Sequence, residues 1–399
     1  MRARIALVKS AATLIALTFL LILAPHRVTA QETKSPPGAP KLDAGSWALI
    51  DADTGLYLAG KDPDKRVPTA STTKIMLALV VLDEGVDMDE KVTVSEEAAK
   101  YAGSVYSNVG LYPYDQVSVK DLLTASLVPS GTDADYALAE YLGDGSVDEF
   151  VDKMNDKAKE MGLKNTHFEN PAGIDDPKNY SSARDLAKMA REAMKYPEFR
   201  KIIAEPEATI STQDRQIQIF NTNLLVVPNS GYDYGPATGV KTGTSPQAGP
   251  CLVASAESGD ESYIVAILDA AGETQRFDAA RTALEYGFGK FENEPLVKQG
   301  DDYADLELPY RRDETVKLVA AKNVTALAGP GLTVAREATH EEAPPSAHKG
   351  QQLGTVKVSV EGHNAGSSPL IAQQGYEAAS LWQKTTYWAG GLKRWILQR

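Results

Sequence analysis

The chain has 399 residues, a formal net charge of −13 at pH 7, five histidines and one cysteine, Cys251. The acidic balance argues against a nucleic-acid partner, and we expect Cys251 to be a buried strand residue rather than a nucleophile. The histidines share no ligand spacing, which argues against a zinc centre, so we expect neither a metal nor a cofactor.

The first 30 residues have the composition of an export signal. Arg2, Arg4 and Lys9 precede an apolar run over residues 10–24, and Val28-Thr29-Ala30 supplies small residues for cleavage. The run is shorter than the roughly 20 residues that a membrane-spanning helix needs. We therefore predict a signal peptide over residues 1–30, with an uncleaved anchor as the alternative, and in either case an exported protein.

A linker is predicted over residues 31–42, because Pro36-Pro37-Gly38 and Pro40 interrupt any core-forming pattern. After it, apolar runs predict strands over residues 47–51 and 56–59. Two further strands are predicted much later in the chain, over residues 251–256 and 263–268. These four segments indicate one antiparallel sheet built from both ends of a domain.

Helices are predicted between and after these strands. Ser118 and Ser146 each begin a capping box, and residues 73–82 form a strongly apolar helix. Residues 182–195 and 274–286 complete the predicted set. The pattern favours an α+β domain over residues 43–291, in which a helical cluster packs on the sheet.

The sequence changes character beyond residue 291. Residues 315–319 and 355–360 alternate like half-buried strands, and Gly329-Pro330-Gly331 and Pro344-Pro345 interrupt the region between them. We predict a small all-β domain over residues 292–368. It carries no chemical motif, so its expected role is spacing or docking.

Residues 369–399 are predicted to form an amphipathic helix. Trp382, Trp388 and Trp395 share the segment with Lys393 and Arg394. Aromatic residues beside cations, with too few apolar residues to span a bilayer, favour a helix that lies in the headgroup plane. Packing of this helix on its own domain is the alternative.

The chemistry is indicated first by Ser71 and Lys74, which are three residues apart at the start of the apolar helix. A serine at a helix N-terminus meets unpaired N–H groups that favour negative charge on an attacked carbonyl. A lysine acts as a base only when neutral, a form that burial and a second cation favour. Lys241 is the candidate for that second cation.

Two further motifs follow in order along the chain. Ser130-Gly131-Thr132 precedes a predicted helix, where a simple helix cap is the alternative interpretation. Lys241-Thr242-Gly243 begins a predicted strand, and its cation and hydroxyl suit a carboxylate ligand. Gly243 would let a ligand backbone approach closely.

These motifs resemble those of the low-molecular-mass penicillin-binding proteins, the serine-type D-alanyl-D-alanine carboxypeptidases. Residues 68–76, 165–173, 180–187 and 239–244 look like family signatures, and the likeness runs nearly from end to end. The resemblance implies a penicillin-binding, β-lactamase-like catalytic domain followed by the small β domain and the amphipathic helix. It implies peptidoglycan pentapeptide stems as substrate and β-lactams as inhibitors, at the outer face of the cytoplasmic membrane.

The resemblance also implies roles for individual residues. Ser71 would be the nucleophile, Lys74 its general base, and Ser130 the proton relay to the departing D-alanine. Lys241 and Thr242 would bind the terminal carboxylate, and Thr132, Gly243 and Thr244 would also belong to the substrate-binding residues. The N–H groups of Ser71 and Thr244 would form the oxyanion hole.

One position departs from the family pattern. Thr132 stands where the second motif usually has asparagine, and a threonine offers a hydroxyl in place of an amide. We expect altered activity or specificity rather than inactivation, because Ser71, Lys74, Ser130 and Lys241 are all present.

Three alternatives stay open at this point. A class A β-lactamase needs an added glutamate, for which Glu169 is the only candidate that the sequence offers. A degenerate, non-catalytic wall-binding protein would retain the motifs without turnover. An endopeptidase that cuts cross-links would use the same groups in a differently shaped pocket.

Overall fold

The computed structural model describes residues 35–397, with side chains up to residue 389. The predicted signal peptide and the first four residues of the predicted linker lie outside the described residues. Within the described part, the segments predicted as helices and strands of the first domain are confirmed in type, and only their ends differ.

The helices in the described part of the chain fall into a catalytic-domain group and one C-terminal helix. They are α1 (Lys74–Asp83), α2 (Glu96–Ala99), α3 (Val119–Leu127), α4 (Thr132–Leu142), α5 (Val147–Glu160), α6 (Ala183–Ala193), α7 (Pro197–Ala204), α8 (Gln275–Lys290) and α9 (Leu381–Leu397). Both predicted helix starts are confirmed as N-caps, because the Ser118 and Ser146 hydroxyls accept hydrogen bonds from the N–H groups of Asp121 and Glu149.

The first domain is built on a five-stranded antiparallel sheet in the order β2-β1-β9-β8-β7. Its strands are β1 (Ala44–Asp51), β2 (Tyr57–Lys61), β7 (Ala237–Ser245), β8 (Gly249–Ser258) and β9 (Glu261–Ala270). Two small two-stranded sheets lie outside this sheet and are formed by β3 (Lys91–Thr93) with β4 (Gln116–Ser118) and by β5 (Glu207–Ser211) with β6 (Gln216–Phe220).

Alternate residues of the central strands face two different cores. Ile50, Val253 and Ala266 point into the core formed with the helical cluster of α1, α3, α4, α5 and α6. Leu252 and Val265 point the other way, into a core shared with α8 and the C-terminal sheet. Both faces are therefore covered, which explains why the strands read as nearly continuous apolar runs. The predicted α+β class is confirmed.

The second sheet lies after α8. β11 (Asp302–Glu307), β12 (Thr315–Ala320), β16 (His363–Ala372), β15 (Gln352–Val360) and β14 (Val334–His340) pair in that order, and β10 (Glu292–Val297) pairs with β13 (Val324–Ala328). The predicted end of the β domain at residue 368 falls inside β16. Gly366, Ser367, Ser368 and Pro369 read as a turn in sequence, yet they lie in the strand and pair with β15.

The final helix, α9, begins after Ser380, whose hydroxyl accepts a hydrogen bond from the N–H group of Gln383. Tyr387 packs edge-on against Tyr310 of the β domain, and Arg312 lies over the same Tyr387 ring. Leu381, Trp382 and Trp388 remain exposed. None of the described helices is long and apolar enough to cross a membrane.

Candidate active site

Ser71 lies in a 3-10 turn, Ala70–Thr73, that precedes α1. The sequence placed it at the N-terminus of the α-helix itself, whereas the regular helix begins only at Lys74. Ala70 has a φ of 46°, so the residue before Ser71 sits in the left-handed region that a side chain disfavours. Such strain is typical of functional turns that their surroundings hold in place.

A neighbouring segment holds this turn. A Cβ atom at Gly173 would lie 1.9 Å from the carbonyl oxygen of Ala70, so only glycine allows the two backbones to approach. Asn170 accepts hydrogen bonds from the N–H groups of Gly173 and Ile174 and fixes that loop. The signature over residues 165–173 therefore supports the turn that carries Ser71.

Lys74 is fully buried and links the first motif to the second. Its Nζ donates a hydrogen bond to the carbonyl oxygen of Ser130 at 2.6 Å. The same Nζ lies 2.7 Å from Oδ2 of Asp135 on α4, and both side chains are inaccessible to solvent. Lys74 thus has a direct counter-ion inside the protein.

Ser130 sits in the strained turn between α3 and α4. Its φ is 71°, and its buried hydroxyl has no hydrogen-bond partner among the described residues. A buried hydroxyl left unpaired is costly unless a ligand or water satisfies it. Thr132 begins α4, is buried, and donates its N–H to the carbonyl oxygen of Ser107.

The third motif occupies the middle of β7, the edge strand of the central sheet. A Cβ atom at Gly243 would lie 3.0 Å from the amide nitrogens of Ser71 and Thr72. Gly243 is thus required for close packing of β7 on the Ser71 turn, in addition to any approach by a ligand. The Thr242 hydroxyl pairs with the Thr222 hydroxyl at 2.6 Å, and the Thr244 side chain is exposed.

The electrostatics of the two lysines include a group that the sequence analysis did not name. Lys241 is a second cation near Lys74, as expected, and Lys74 also has Asp135 as its counter-ion. Lys241 donates a hydrogen bond to the carbonyl oxygen of Thr242. Burial, helped by the neighbouring Lys74, holds the pKa of Lys241 well below its usual value.

Two residues of this site were missed in the sequence. Arg276 on α8 donates through Nη1 to the carbonyl oxygen of Gly243 and to the Thr244 hydroxyl. These two hydrogen bonds tie β7 to α8. Asp135 is the partner of Lys74. The sequence did contain an indication of Asp135, because a carboxylate among the alanines of a buried helix requires a partner. A lysine in the apolar helix α1 requires one for the same reason.

Glu169, the candidate for the added glutamate of a β-lactamase, lies away from this site. Glu169 contacts His167 and Lys178 at the surface, and none of its contacts in the described structure involves Ser71, Lys74 or Ser130. Cys251 is buried in β8, where burial raises its thiol pKa to about 12. The expectation that Cys251 is a buried strand residue is confirmed.

Known proteins share both sequence and fold with the chain. Residues 30–272 match the D-alanyl-D-alanine carboxypeptidase family, and residues 291–378 match the C-terminal domain of penicillin-binding protein 5. D-alanyl-D-alanine carboxypeptidase DacF of Bacillus subtilis is 34% identical over 380 residues, which cover 92% of this chain and 95% of that protein.

Solved structures agree with these sequence matches. Penicillin-binding protein 5 of Haemophilus influenzae superposes with a TM-score of 0.64 at 31% identity, over 85% of this chain and 99% of that one. The DD-transpeptidase of Streptomyces K15 gives a TM-score of 0.59 at 37% identity, over 63% of this chain and 99% of its own. The chain therefore belongs to the D-alanyl-D-alanine carboxypeptidase family, as its motifs predict.

Proposed function

We propose that this enzyme removes the terminal D-alanine from peptidoglycan pentapeptide stems through an acyl-enzyme on Ser71, and that β-lactams acylate the same serine. The observation that carries the proposal is the meeting of the three motifs. Lys74 donates to the Ser130 carbonyl oxygen, and Gly243 packs on the amide nitrogens of Ser71 and Thr72.

The first step is attack by the serine. Lys74, once neutral, takes the Oγ proton of Ser71 as Oγ bonds to the carbonyl carbon of the scissile peptide. Negative charge then develops on the carbonyl oxygen. The N–H groups of Ser71 and Thr244 stabilise it, and their placement depends on the close packing of β7 on the turn.

The terminal carboxylate of the substrate binds at β7. Lys241 and Thr242 provide a cation and a hydroxyl at the strand edge, and the buried Arg276 adds positive potential behind them. Because the pKa of Lys241 is lowered, its cationic form is retained only below that lowered value. Affinity for a carboxylate therefore falls as the pH rises through it.

The leaving group requires a proton. Ser130 has a buried hydroxyl with no partner in the described structure, and Lys74 contacts the carbonyl oxygen of the same residue. This hydroxyl passes a proton to the nitrogen of the departing D-alanine as the C–N bond breaks, and it takes in return the proton that Lys74 received from Ser71. Water then hydrolyses the ester and regenerates Ser71.

Release of D-alanine from a pentapeptide that ends in D-Ala-D-Ala tests the proposal. Wild-type protein is expected to release it, and Ser71→Ala to lose about 10⁴-fold or more of that rate. Ser258→Ala, an exposed serine at the end of β8, is the control and should match wild type. No release by wild type, or equal release by Ser71→Ala, would contradict the proposal; assay of a cross-linked dimer then distinguishes an endopeptidase from a non-catalytic binder.

We also propose that the protein is exported and works at the outer face of the cytoplasmic membrane, held there by α9. The signal-like composition of residues 1–30 supports export. Exposed Leu381, Trp382 and Trp388 support contact of α9 with lipid headgroups. Tyr387 faces the β domain and would fix the orientation of that helix.

A further inference from the structure

Thr222 lies between the second and third motifs and has no part in the proposed mechanism. It stands in the turn after β6, where it is half-buried. Its N–H group donates to the carbonyl oxygen of Val128 at 3.2 Å, in the segment that leads to Ser130. Its hydroxyl lies 2.6 Å from the hydroxyl of Thr242, which is proposed to bind the terminal carboxylate. Thr222 therefore connects the segment before Ser130 to β7.

The turn that carries Thr222 is held on both sides by asparagines that are almost inaccessible to solvent. Asn221 donates through Nδ2 to the carbonyl oxygen of Glu205 at 2.9 Å, and its Oδ1 accepts from the N–H group of Asn223. Oδ1 of Asn223 in turn accepts from the N–H group of Leu225. Asparagines that bond to the backbone two residues further on stabilise turns. These contacts fix the backbone on either side of Thr222, so its hydroxyl is held in place.

A bound carboxylate sets the direction of the hydrogen bond between the two threonines. Each hydroxyl has one proton to donate, whereas a carboxylate only accepts. Thr242 must therefore give its proton to the carboxylate, and its oxygen then accepts the proton of Thr222. The Thr222 hydroxyl also lies 3.4 Å from the carbonyl oxygen of Val128, which is long for an O–H···O hydrogen bond. The geometry thus favours a chain of hydrogen bonds from Thr222 through Thr242 to the ligand.

We propose that Thr222 is a positioning residue that makes the site selective for ligands with a free terminal carboxylate. Its hydroxyl donates to Thr242, which directs the Thr242 proton at the ligand and polarises that hydroxyl. Hydrogen bonds to a charged acceptor are stronger than those to a neutral one, so a carboxylate gains more from this polarisation than an ester or an amide does. The inference rests on the proposed role of Thr242 in binding the terminal carboxylate.

The test compares acylation by benzylpenicillin with acylation by its methyl ester, which has the same reactive ring but no carboxylate. We expect Thr222→Val to lower the second-order rate constant for benzylpenicillin about three- to tenfold, and that for the ester by about twofold at most. Thr222→Ser retains the hydroxyl and should restore the wild-type ratio of the two rate constants. Thr209→Val, at an exposed position of β5, is the matched control and should change neither rate. A ratio that Thr222→Val leaves unchanged, or that Thr222→Ser fails to restore, would overturn the proposal, because a merely structural role does not depend on the charge of the ligand.

A binding measurement separates this inference from the proposed function. Ser71→Ala, with and without Thr222→Val, is titrated by NMR with acetyl-D-Ala-D-Ala and with the C-terminal amide of that peptide. Loss of the Thr222 hydroxyl should raise the Kd of the carboxylate about three- to tenfold and leave the Kd of the amide unchanged. Equal changes for the two peptides, or a Ser71→Ala protein that does not prefer the carboxylate, contradict the inference. Failure of benzylpenicillin to acylate wild type refutes the proposed function instead, and the titration, which needs no acylation, still decides the role of Thr222.

Discussion

At the scale of single residues, the site is defined by charges buried away from water. Lys74 and Lys241 are both almost completely inaccessible, and among the described residues Lys74 alone of the two has a carboxylate partner. Burying an isolated ion costs free energy of folding, so each of these side chains needs either a compensating charge nearby or a neutral form. Catalysis by a lysine base depends on how well its buried charge is compensated, and a single substitution can change that compensation.

Thr132 is the residue that most clearly distinguishes this chain from the usual motif. Thr132→Asn restores an amide with both donor and acceptor at the start of α4. If that amide makes one more hydrogen bond to the substrate, kcat/KM for D-alanine release rises about three- to tenfold.

The measurement is steady-state D-alanine release, with the melting temperature as the check on folding. Thr132→Val removes the hydroxyl at similar volume and should be slower than wild type. An unchanged kcat/KM in a well-folded Thr132→Asn would show that the amide adds no contact to the substrate, and a lower value would show that threonine is the better residue in this pocket.

The sequence predicted the residues of this site better than their contacts. Ser71, Ser130 and Lys241 were recognised because short motifs keep their spacing along the chain. Asp135 and Arg276 were missed because their partners, Lys74 and Gly243, are far away in sequence. Pairing across elements is a property of the fold, so the sequence around Asp135 indicates that this carboxylate needs a partner but not which residue the partner is.

At the scale of elements, activity depends on how β7 packs against the turn before α1. Gly243→Ala places a methyl group 2.9–3.0 Å from the Thr69 carbonyl oxygen and from the amide nitrogens of Ser71 and Thr72. These atoms are backbone, so β7 or the turn must shift. Displacing an oxyanion-hole N–H costs about a hundredfold or more in rate, and we expect penicillin acylation to fall by that amount.

Gly235→Ala is the matched control, because a Cβ atom there meets nothing within 4 Å. The measurement is the second-order rate constant of acylation, compared at equal folded fraction. A Gly243→Ala protein that acylates as fast as Gly235→Ala would show that the close approach is dispensable.

Elements with regular apolar periodicity were predicted well, whereas element ends were not. The start of α1 was placed too early because the 3-10 turn Ala70–Thr73 has the same apolar neighbours as the helix. β16 was not predicted as a strand, because its small and turn-forming residues give no apolar alternation, whereas backbone pairing with β15 holds it in the sheet. Both differences arise from tertiary contacts that override local preference.

At the scale of the whole molecule, the proposed membrane contact depends on α9. We expect the full chain to co-sediment with anionic vesicles and a truncation before Leu381 to remain in solution, because exposed Leu381, Trp382 and Trp388 are then lost. The truncation keeps Tyr376, which packs on the β domain through Ala347 and Pro344.

A full-length protein with Trp382→Ser and Trp388→Ser is the companion variant, since it retains the helix and its cations. It should bind vesicles more weakly than wild type. Equal binding by all three proteins would place the lipid contact outside α9, and no binding by wild type would mean that the helix serves only its own domain.

The central claim is that Ser71 forms the acyl-enzyme. Intact mass spectrometry after incubation with benzylpenicillin, followed by peptide mapping, tests it most directly. The account predicts one adduct per molecule, carried by the peptide that contains Ser71 and absent from Ser71→Ala. An adduct on another residue, or D-alanine release by a protein that never carries an adduct, would contradict it.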